Sequence, residues 1–310
     1  MEKMVVSVIV PAYNHGQYIA QSLESAIHQT FEQDYEIIIG DDCSTDHTGE
    51  ICRRYADHPK IRLISHDQNI GLIQNYRSLF SASRGRYIAI LEGDDYWEEN
   101  KLAEQISFLE AHPECGFLHS NGYFLFENGR RKLIHREAGI PQELSYGDLI
   151  KSNRIAAVTA CFRRDLLQFA DLERFESLGF RTMDYPLWLE FAQHTRMGFL
   201  NLPLATYRIT AGSISNNRSF EKRRQFEASN RSILEFYSKK YPVAGLNPEF
   251  IQTKYNTKLF YAILDCGTFA DQKMLSEEYL HLGRIKTLAL RCRLIFSLYR
   301  VIIRLFYKRV

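Results

Sequence analysis

Long hydrophobic runs are missing from this sequence. No stretch of 18 apolar residues occurs, so no ordinary transmembrane helix is expected. The first apolar run covers only residues 5–10, too short for the core of an export signal and suited to a buried strand. An excess of one charge is missing too: 39 Lys and Arg against 37 Asp and Glu leave +2 over 310 residues, and no global basic field for nucleic acid. The six cysteines form no CxxC pair and no tight framework, which points to a reducing, cytoplasmic compartment. A GxxxxGKS/T loop is absent, as is a GxGxxG after the first strand, so neither the P-loop nor the dinucleotide fingerprint is available. There is no internal repeat and no low-complexity segment.

What is present alternates. Apolar, β-branched runs at residues 5–10, 36–39, 61–64 and 87–91 read as strands, and non-alternating strands suit a sheet buried on both faces. Between them, residues 17–30 (Tyr18, Ile19, Leu23, Ala26 and Ile27 at helical spacing), 45–56 and 75–83 read as helices. Ser44 or Thr45 is a plausible cap for the second helix. This order predicts βαβ units and an α/β fold with a mostly parallel sheet flanked by helices. Further strands are expected at 115–126, 156–162 and 199–207, and a helix at 186–193. Beyond residue 216 a helical C-terminal extension is expected. Three segments follow: 1–105, 106–215 and 216–310.

In an open parallel sheet, ligands bind beyond the carboxyl ends of the strands. Three such ends here carry polar, turn-forming clusters: Pro11 to Asn14, Asp41 to Ser44, and Asp94 with Asp95. They should converge on one rim. Carboxylates crowded together raise one another's pKa, and a divalent cation is the usual remedy. Adjacent aspartates supply hard oxygen ligands suited to Mg2+ or Mn2+, with phosphate oxygens filling the open positions. A calcium loop beginning at Asp42 is disfavoured, because its sixth position is His47 rather than Gly and its twelfth is Arg53 rather than Glu.

Four segments in register, VSVIVPAYN (6–14), SAIHQTF (25–31), GDDCSTD (40–46) and GRYIAILEGDD (85–95), resemble glycosyltransferase family 2. The resemblance is dense over residues 5–105 and continues more loosely to about 216. It implies a GT-A fold, Rossmann-like, with a nucleotide-sugar-binding half at 1–105 and an acceptor-binding half at 106–215. It also implies a nucleotide-sugar donor, in particular a UDP-sugar, Mn2+ or Mg2+, and inversion at the anomeric carbon. By the same resemblance Pro11, Ala12, Tyr13 and Asn14 line the nucleotide, with Tyr13 near the base. Asp42 reads the uracil edge, Asp94 lies at the ribose and beside the metal, and Asp95 holds the metal. Glu92 stands where many members have Asp, which keeps the charge but not the reach. The general base that deprotonates the acceptor maps to Asp184 within RTMDYPLWL (181–189), although Met183 replaces the customary Glu. No QxxRW-type motif of the processive members follows Asp184, so one sugar per encounter is expected. The acceptor implied is a glycan or a lipid-linked glycan. In YRITAGS (207–213), Thr210 stands where related sequences often have His, and no role is carried to it.

Plainer readings stand beside these. Asp41, Asp42, Asp46 and Asp184 could be helix caps, and Asp94 with Asp95 a solvated turn. Arg77 could reach the diphosphate, but by the resemblance the family's usual Arg in that stretch aligns with Tyr76, which favours a surface role for Arg77. Trp188 could belong to the core or to an acceptor wall. A non-catalytic nucleotide-sugar binder of the same fold and a sugar nucleotidyltransferase remain as rivals. The latter should carry a Gly-rich, basic loop after the first strand, where this chain has PAYNHG (11–16).

The tail is distinct. After Glu278 there is no acid but eight Lys and Arg, so this tail is +8 and residues 1–278 carry −6. On a helical wheel Arg293, Arg300, Arg304 and Lys308 share one face. That predicts a basic amphipathic helix over 284–310 contacting an anionic membrane surface, hence a cytoplasmic protein peripheral on the inner face of the membrane.

Overall fold

Residues 4–135, 143–210, 213, 217–278, 296–298 and 301 are described by a computed structural model. They fall into two compact units, Met1–Ile209 and Thr210–Val310.

The first unit is built on β1 (Val6–Ala12), β2 (Tyr35–Asp41), β3 (Ile61–Ser65) and β4 (Tyr87–Ile90), parallel strands in the order β3-β2-β1-β4. Every residue of β1 and β2 is buried, because the two faces have different covers. Val6, Val8 and Val10, with Ile37 and Ile39, join a core shared with α1 (Ile19–Ile27) and Cys52 of α2 (Thr48–Tyr55). On the other face Gly40 lies so close to α3 (Leu72–Ala82) that a Cβ would stand 2.2 Å from Asn75 Oδ1. Each Val or Ile so buried contributes about 1.5–3 kcal/mol. That is why an unbroken apolar run, rather than alternation, encodes these strands.

The sheet continues β4-β8-β6-β9-β5, with β7 on β6. Here β5 is Tyr96–Trp97, β6 Cys115–Phe126, β7 Arg131–Leu133, β8 Ala160–Arg163 and β9 Arg196–Ile209. β6 and β9 run parallel, and the other pairs are antiparallel. Around them lie α4 (Lys101–Ala111), α5 (Tyr146–Lys151), α6 (Leu172–Ser177) and α7 (Asp184–Phe191).

Several boundaries differ from expectation for local reasons. The strand expected from 156 begins at Ala160, because residues 157–159 form a 3-10 turn. Their carbonyls are taken sideways: Trp97 Nε1 donates to Val158 O (3.0 Å) and Gln105 Nε2 to Thr159 O (2.8 Å). The helix expected from 45 starts at Thr48; ahead of it the Thr45 N–H donates to Asn14 Oδ1 at 2.8 Å, tying this segment to the loop after β1. The helix expected from 186 opens two residues earlier, at Asp184.

The second unit is helical, as expected: α8 (Phe220–Lys240), α9 (Pro248–Cys266) and α10 (Phe269–Glu278). Asn247 caps α9 by accepting from Phe250 N–H (2.8 Å), and Pro248 occupies its first turn. Leu259, Phe260, Ile263 and Leu275 form this unit's core, and Phe296 packs into it. Leu298 and Val301 are exposed. Arg293, Arg300, Arg304 and Lys308 of the expected amphipathic tail lie outside the described residues. No helix among the described residues is long and apolar enough to cross a membrane.

Candidate active site

The three rim loops are tied by direct hydrogen bonds. Asp42 N–H donates to Ala12 O (3.0 Å) and Gly93 N–H to Pro11 O (3.1 Å), so the ends of β1, β2 and β4 meet. Asn14 and Cys43 both have φ of 56°, the left-handed region that costs a non-glycine residue energy. Asn14 repays this by binding across the rim: its N–H donates to Ser44 Oγ (3.0 Å) and its Oδ1 accepts from Thr45 N–H. Asp46 accepts from Gly16 N–H (2.9 Å) and Thr48 N–H (2.9 Å), and Asp41 accepts from Ser44 N–H (3.2 Å). Burial opposes the charge of Asp46, but donors from Thr48 and Gly16 outweigh it and hold its carboxyl below the usual range.

Asp42 is buried at the same rim. Its two oxygens accept from Ile70 N–H (2.7 Å) and Gly71 N–H (2.9 Å), and Gly71 presents that N–H from a φ of 86°. Each carboxylate oxygen keeps a second lone pair for a further donor. Tyr13 is 44% exposed beside Asn14, an aromatic face open to stacking.

The acids after β4 are placed differently. Gly93 admits the His15 ring so closely that a Cβ would lie 2.6 Å from Nδ1. Asp95 is fully buried; its Oδ1 accepts from Arg208 N–H (2.7 Å), while Oδ2 has no partner among the described residues. Glu92 receives the Tyr76 hydroxyl at 3.4 Å on Oε1, and its buried Oε2 is likewise unpartnered. Burial, then the charges of Asp94 and Glu92, hold the Asp95 carboxyl well above the usual range. Burial, then Asp94 and Asp184, push Glu92 up to about 8.

Asp184 opens α7, half-buried, with hydrogen bonds from the Thr182 hydroxyl and the Asn153 side chain. Burial nevertheless raises its carboxyl. The Tyr76 hydroxyl is pushed well above its ordinary value by burial and by the charges of Glu92, Asp184 and Asp95, which places all four groups together. Met183 is buried beside Asp184. Trp188 is core: it is fully buried, with its ring 4.7 Å from Phe117 and 6.0 Å from Phe162. Arg77 pairs with Glu173 at the surface.

No group of three His, Cys, Asp or Glu poised around a metal occurs among the described residues. The donor set nevertheless fits a divalent cation that takes one or two carboxylates and completes its shell with substrate phosphates. Asp95 offers a buried, unpartnered oxygen, and Asp94 stands next to it, half-buried.

Residues 7–169 match the profile of Glycosyl transferase family 2. The chain belongs to glycosyltransferase family 2. It is therefore an enzyme that transfers glycosyl groups. Among its relatives is the UDP-Glc:alpha-D-GlcNAc-diphosphoundecaprenol beta-1,3-glucosyltransferase WfaP of Escherichia coli, 32% identical over 251 residues, covering 78% of this chain and 94% of the relative. Among solved structures, S. aureus TarS 1-349 in complex with UDP-GlcNAc superposes with a TM-score of 0.54 at 19% identity, covering 96% of this chain and 92% of that one. The mannosyltransferase PcManGT from Pyrobaculum calidifontis, in complex with GDP-Man and Mn2+, gives a TM-score of 0.56 at 16% identity, covering 99% and 89%. The sheet described above is thus a GT-A fold.

For this glycosyltransferase, four residues at the site lie outside the sequence-based set. Tyr76 was visible only as an odd residue in a stretch where the family places Arg. Thr182 and Asn153 carry no sequence signal of their own. Arg208 lies in the Tyr-Arg pair at 207–208, two residues before Thr210, and it reaches the Asp94–Asp95 turn from β9.

Proposed function

We propose that this glycosyltransferase moves one sugar, with inversion, from a UDP-sugar to a hydroxyl of a lipid-linked glycan, as in polysaccharide biosynthesis. The nucleotide occupies the rim: Tyr13 stacks on the base, Pro11, Ala12 and Asn14 line it, Asp42 accepts from the uracil imide, and Asp94 holds the ribose. UDP as the nucleotide is supported by the donor named for the E. coli relative and by the ligand of TarS; the GDP-Man of PcManGT makes guanine the alternative to test. Asp95 and Asp94 would hold Mg2+ or Mn2+, which when bound offsets charge on the departing diphosphate.

Asp184 is the base. The acceptor oxygen bonds to the anomeric carbon as the bond from that carbon to the diphosphate oxygen breaks, and the hydroxyl proton passes to the Asp184 carboxylate. A raised carboxyl suits the task, since it holds a proton better than an ordinary aspartate. The observation that carries the reading is this aspartate, raised by burial and sharing one cluster with Asp95 and its unpartnered oxygen.

The test is to screen UDP- and GDP-sugars against a polyprenyl-diphosphate sugar acceptor, with Mn2+ or with chelator, and to assign the anomeric configuration of the product. A UDP-dependent, chelator-sensitive, inverted product is expected. Nucleotide binding without any turnover would favour the non-catalytic binder, and pyrophosphate release from a sugar phosphate the nucleotidyltransferase. The acid-free tail, with Leu298 and Val301 exposed, supports seating on an anionic membrane surface. Deleting 284–310 should abolish salt-sensitive pelleting with anionic liposomes, and pelleting that persists would remove that role.

A further inference from the structure

Arg208 is nine-tenths buried at the end of β9, yet it sits within reach of the acids that follow β4. Its backbone and its side chain do separate things there. The backbone N–H donates to Asp95 Oδ1 at 2.7 Å, which orients the carboxyl and leaves Oδ2 as the free oxygen. The guanidinium turns back on the same loop: one arm donates to the Asp94 carbonyl and the other to Gln21 Oε1 on α1. Its central carbon lies over two rings, 5.0 Å from the centre of Tyr18 and 4.7 Å from that of Tyr96. Tyr96 immediately follows Asp95, and β5, to which it belongs, pairs with β9 through Tyr96 and Thr206. A single residue therefore grips the Asp94–Asp95 turn at a carboxylate, at a carbonyl and at the next aromatic ring, and anchors it to a helix.

We infer that Arg208 is a positioning residue: its guanidinium is committed to holding the Asp94–Asp95 turn so that Asp95 Oδ2 points to a bound divalent cation, and it is not itself a ligand of the donor diphosphate. This rests on the metal reading of Asp95 under the proposed function. Three features carry it. Both arms of the guanidinium already have acceptors. The guanidinium lies over two tyrosine rings, Tyr18 and Tyr96. The loop it holds contains a buried carboxylate whose direction is set by Arg208's own N–H. A planar, forked cation that binds two acceptors and lies over two rings is a role that lysine's ammonium does not reproduce, because it lacks the plane and the second arm.

The experiment is titration calorimetry with UDP and GDP on the full chain, with Mn2+ and with chelator, for wild type, Arg208→Ala, Arg208→Lys and Gln21→Ala. The informative quantity is the gain in nucleotide affinity that Mn2+ confers, measured with whichever nucleotide the wild type binds more tightly. Both Arg208 variants should keep the metal-free affinity and lose about tenfold of the Mn2+ gain, as residues behind a metal ligand do when removed. Gln21→Ala changes an exposed side chain, so it keeps the test open if an Arg208 variant fails to fold, and it should lose a smaller part of the same gain. A fall in metal-free diphosphate affinity in Arg208→Ala, with nucleoside monophosphate binding unchanged, would make the guanidinium a phosphate ligand and overturn the inference. Full recovery in Arg208→Lys would also overturn it, leaving only a counter-charge. A Mn2+ gain present in wild type and intact in all variants would sink the role of Arg208 alone, whereas a wild type indifferent to Mn2+ would sink the metal reading beneath it as well.

Discussion

Two groups of acids share one rim and are treated in opposite ways by the fold. Asp41, Asp42 and Asp46, at the end of β2 and just beyond it, have oxygens occupied by backbone N–H groups of Ser44, Ile70, Gly71, Gly16 and Thr48. Glu92 and Asp95, after β4, each keep a buried oxygen with no partner among the described residues, and their carboxyls are raised. A buried carboxylate bonded to N–H groups is stable as an anion and organises the loop around it. A buried carboxylate left unpaired costs free energy unless something cationic arrives. The first group ties the rim loops together, and the second leaves buried oxygens open, which supports the cation site proposed there. Asp184 stands between the two cases, hydrogen-bonded by Thr182 and Asn153 yet still raised.

The sharpest way to break this comparison is at Asp184. Asp184→Asn should cut transfer by roughly 10²-fold or more while leaving nucleotide binding intact, since only the proton acceptor is lost. Product formation and calorimetry on the same preparation check this, and near-wild-type turnover would reject the base. Next, Asp95→Ala should lose about 10- to 100-fold in apparent Mn2+ affinity, read from the metal dependence of UDP binding. Unchanged dependence would mean the unpartnered oxygen holds no metal.

The satisfied group predicts the converse. Asp46→Ala leaves the N–H groups of Gly16 and Thr48 without their acceptor and should cost about 1–2 kcal/mol in denaturant unfolding, with the Mn2+ gain in UDP affinity retained. Loss of that gain without loss of stability would put Asp46 in the wrong group.

His119 on β6 is a control away from the rim, with no effect expected on transfer. It is fully buried, neither ring nitrogen is partnered among the described residues, and burial followed by His135 holds it down to about 3. Because its folded value lies below the unfolded one near 6.5, His119 withdraws no stability above that pH. It withdraws stability increasingly as pH falls from about 6.5 toward 3. His119→Phe should flatten the acid limb of the melting profile and leave transfer unchanged. A loss of activity instead would give the unpartnered imidazole a part in the site.

Much of the first unit was legible beforehand. β1 to β4 and β6 followed from apolar runs, and the rim acids followed from the turns that end those strands. Less legible were elements whose signals are short or mixed. β5 is two residues long, and α4 carries Leu102, Ile106 and Leu109 at helical spacing amid charged neighbours. Residues 156–162 look like a strand, but side chains of Trp97 and Gln105, brought from far along the chain, take two of their carbonyls. Hydrophobic period reports which face of an element is buried, not which distant donor will claim its backbone.

The same division holds at the site. The sequence alone pointed to three polar strand ends on one rim, two of them acidic, because strand direction and turn residues are local properties. It also marked Asp184 by resemblance. The tertiary structure decided which acids are neutralised by N–H groups and which are left raised and unpartnered. It also decided that Trp188 is core, and that Tyr76 and Arg208, 132 positions apart in the numbering, reach the same cluster of acids. Burial and the count of donors around a carboxylate depend on chain segments that meet only in the folded state, and those two quantities set its charge and its availability to a ligand.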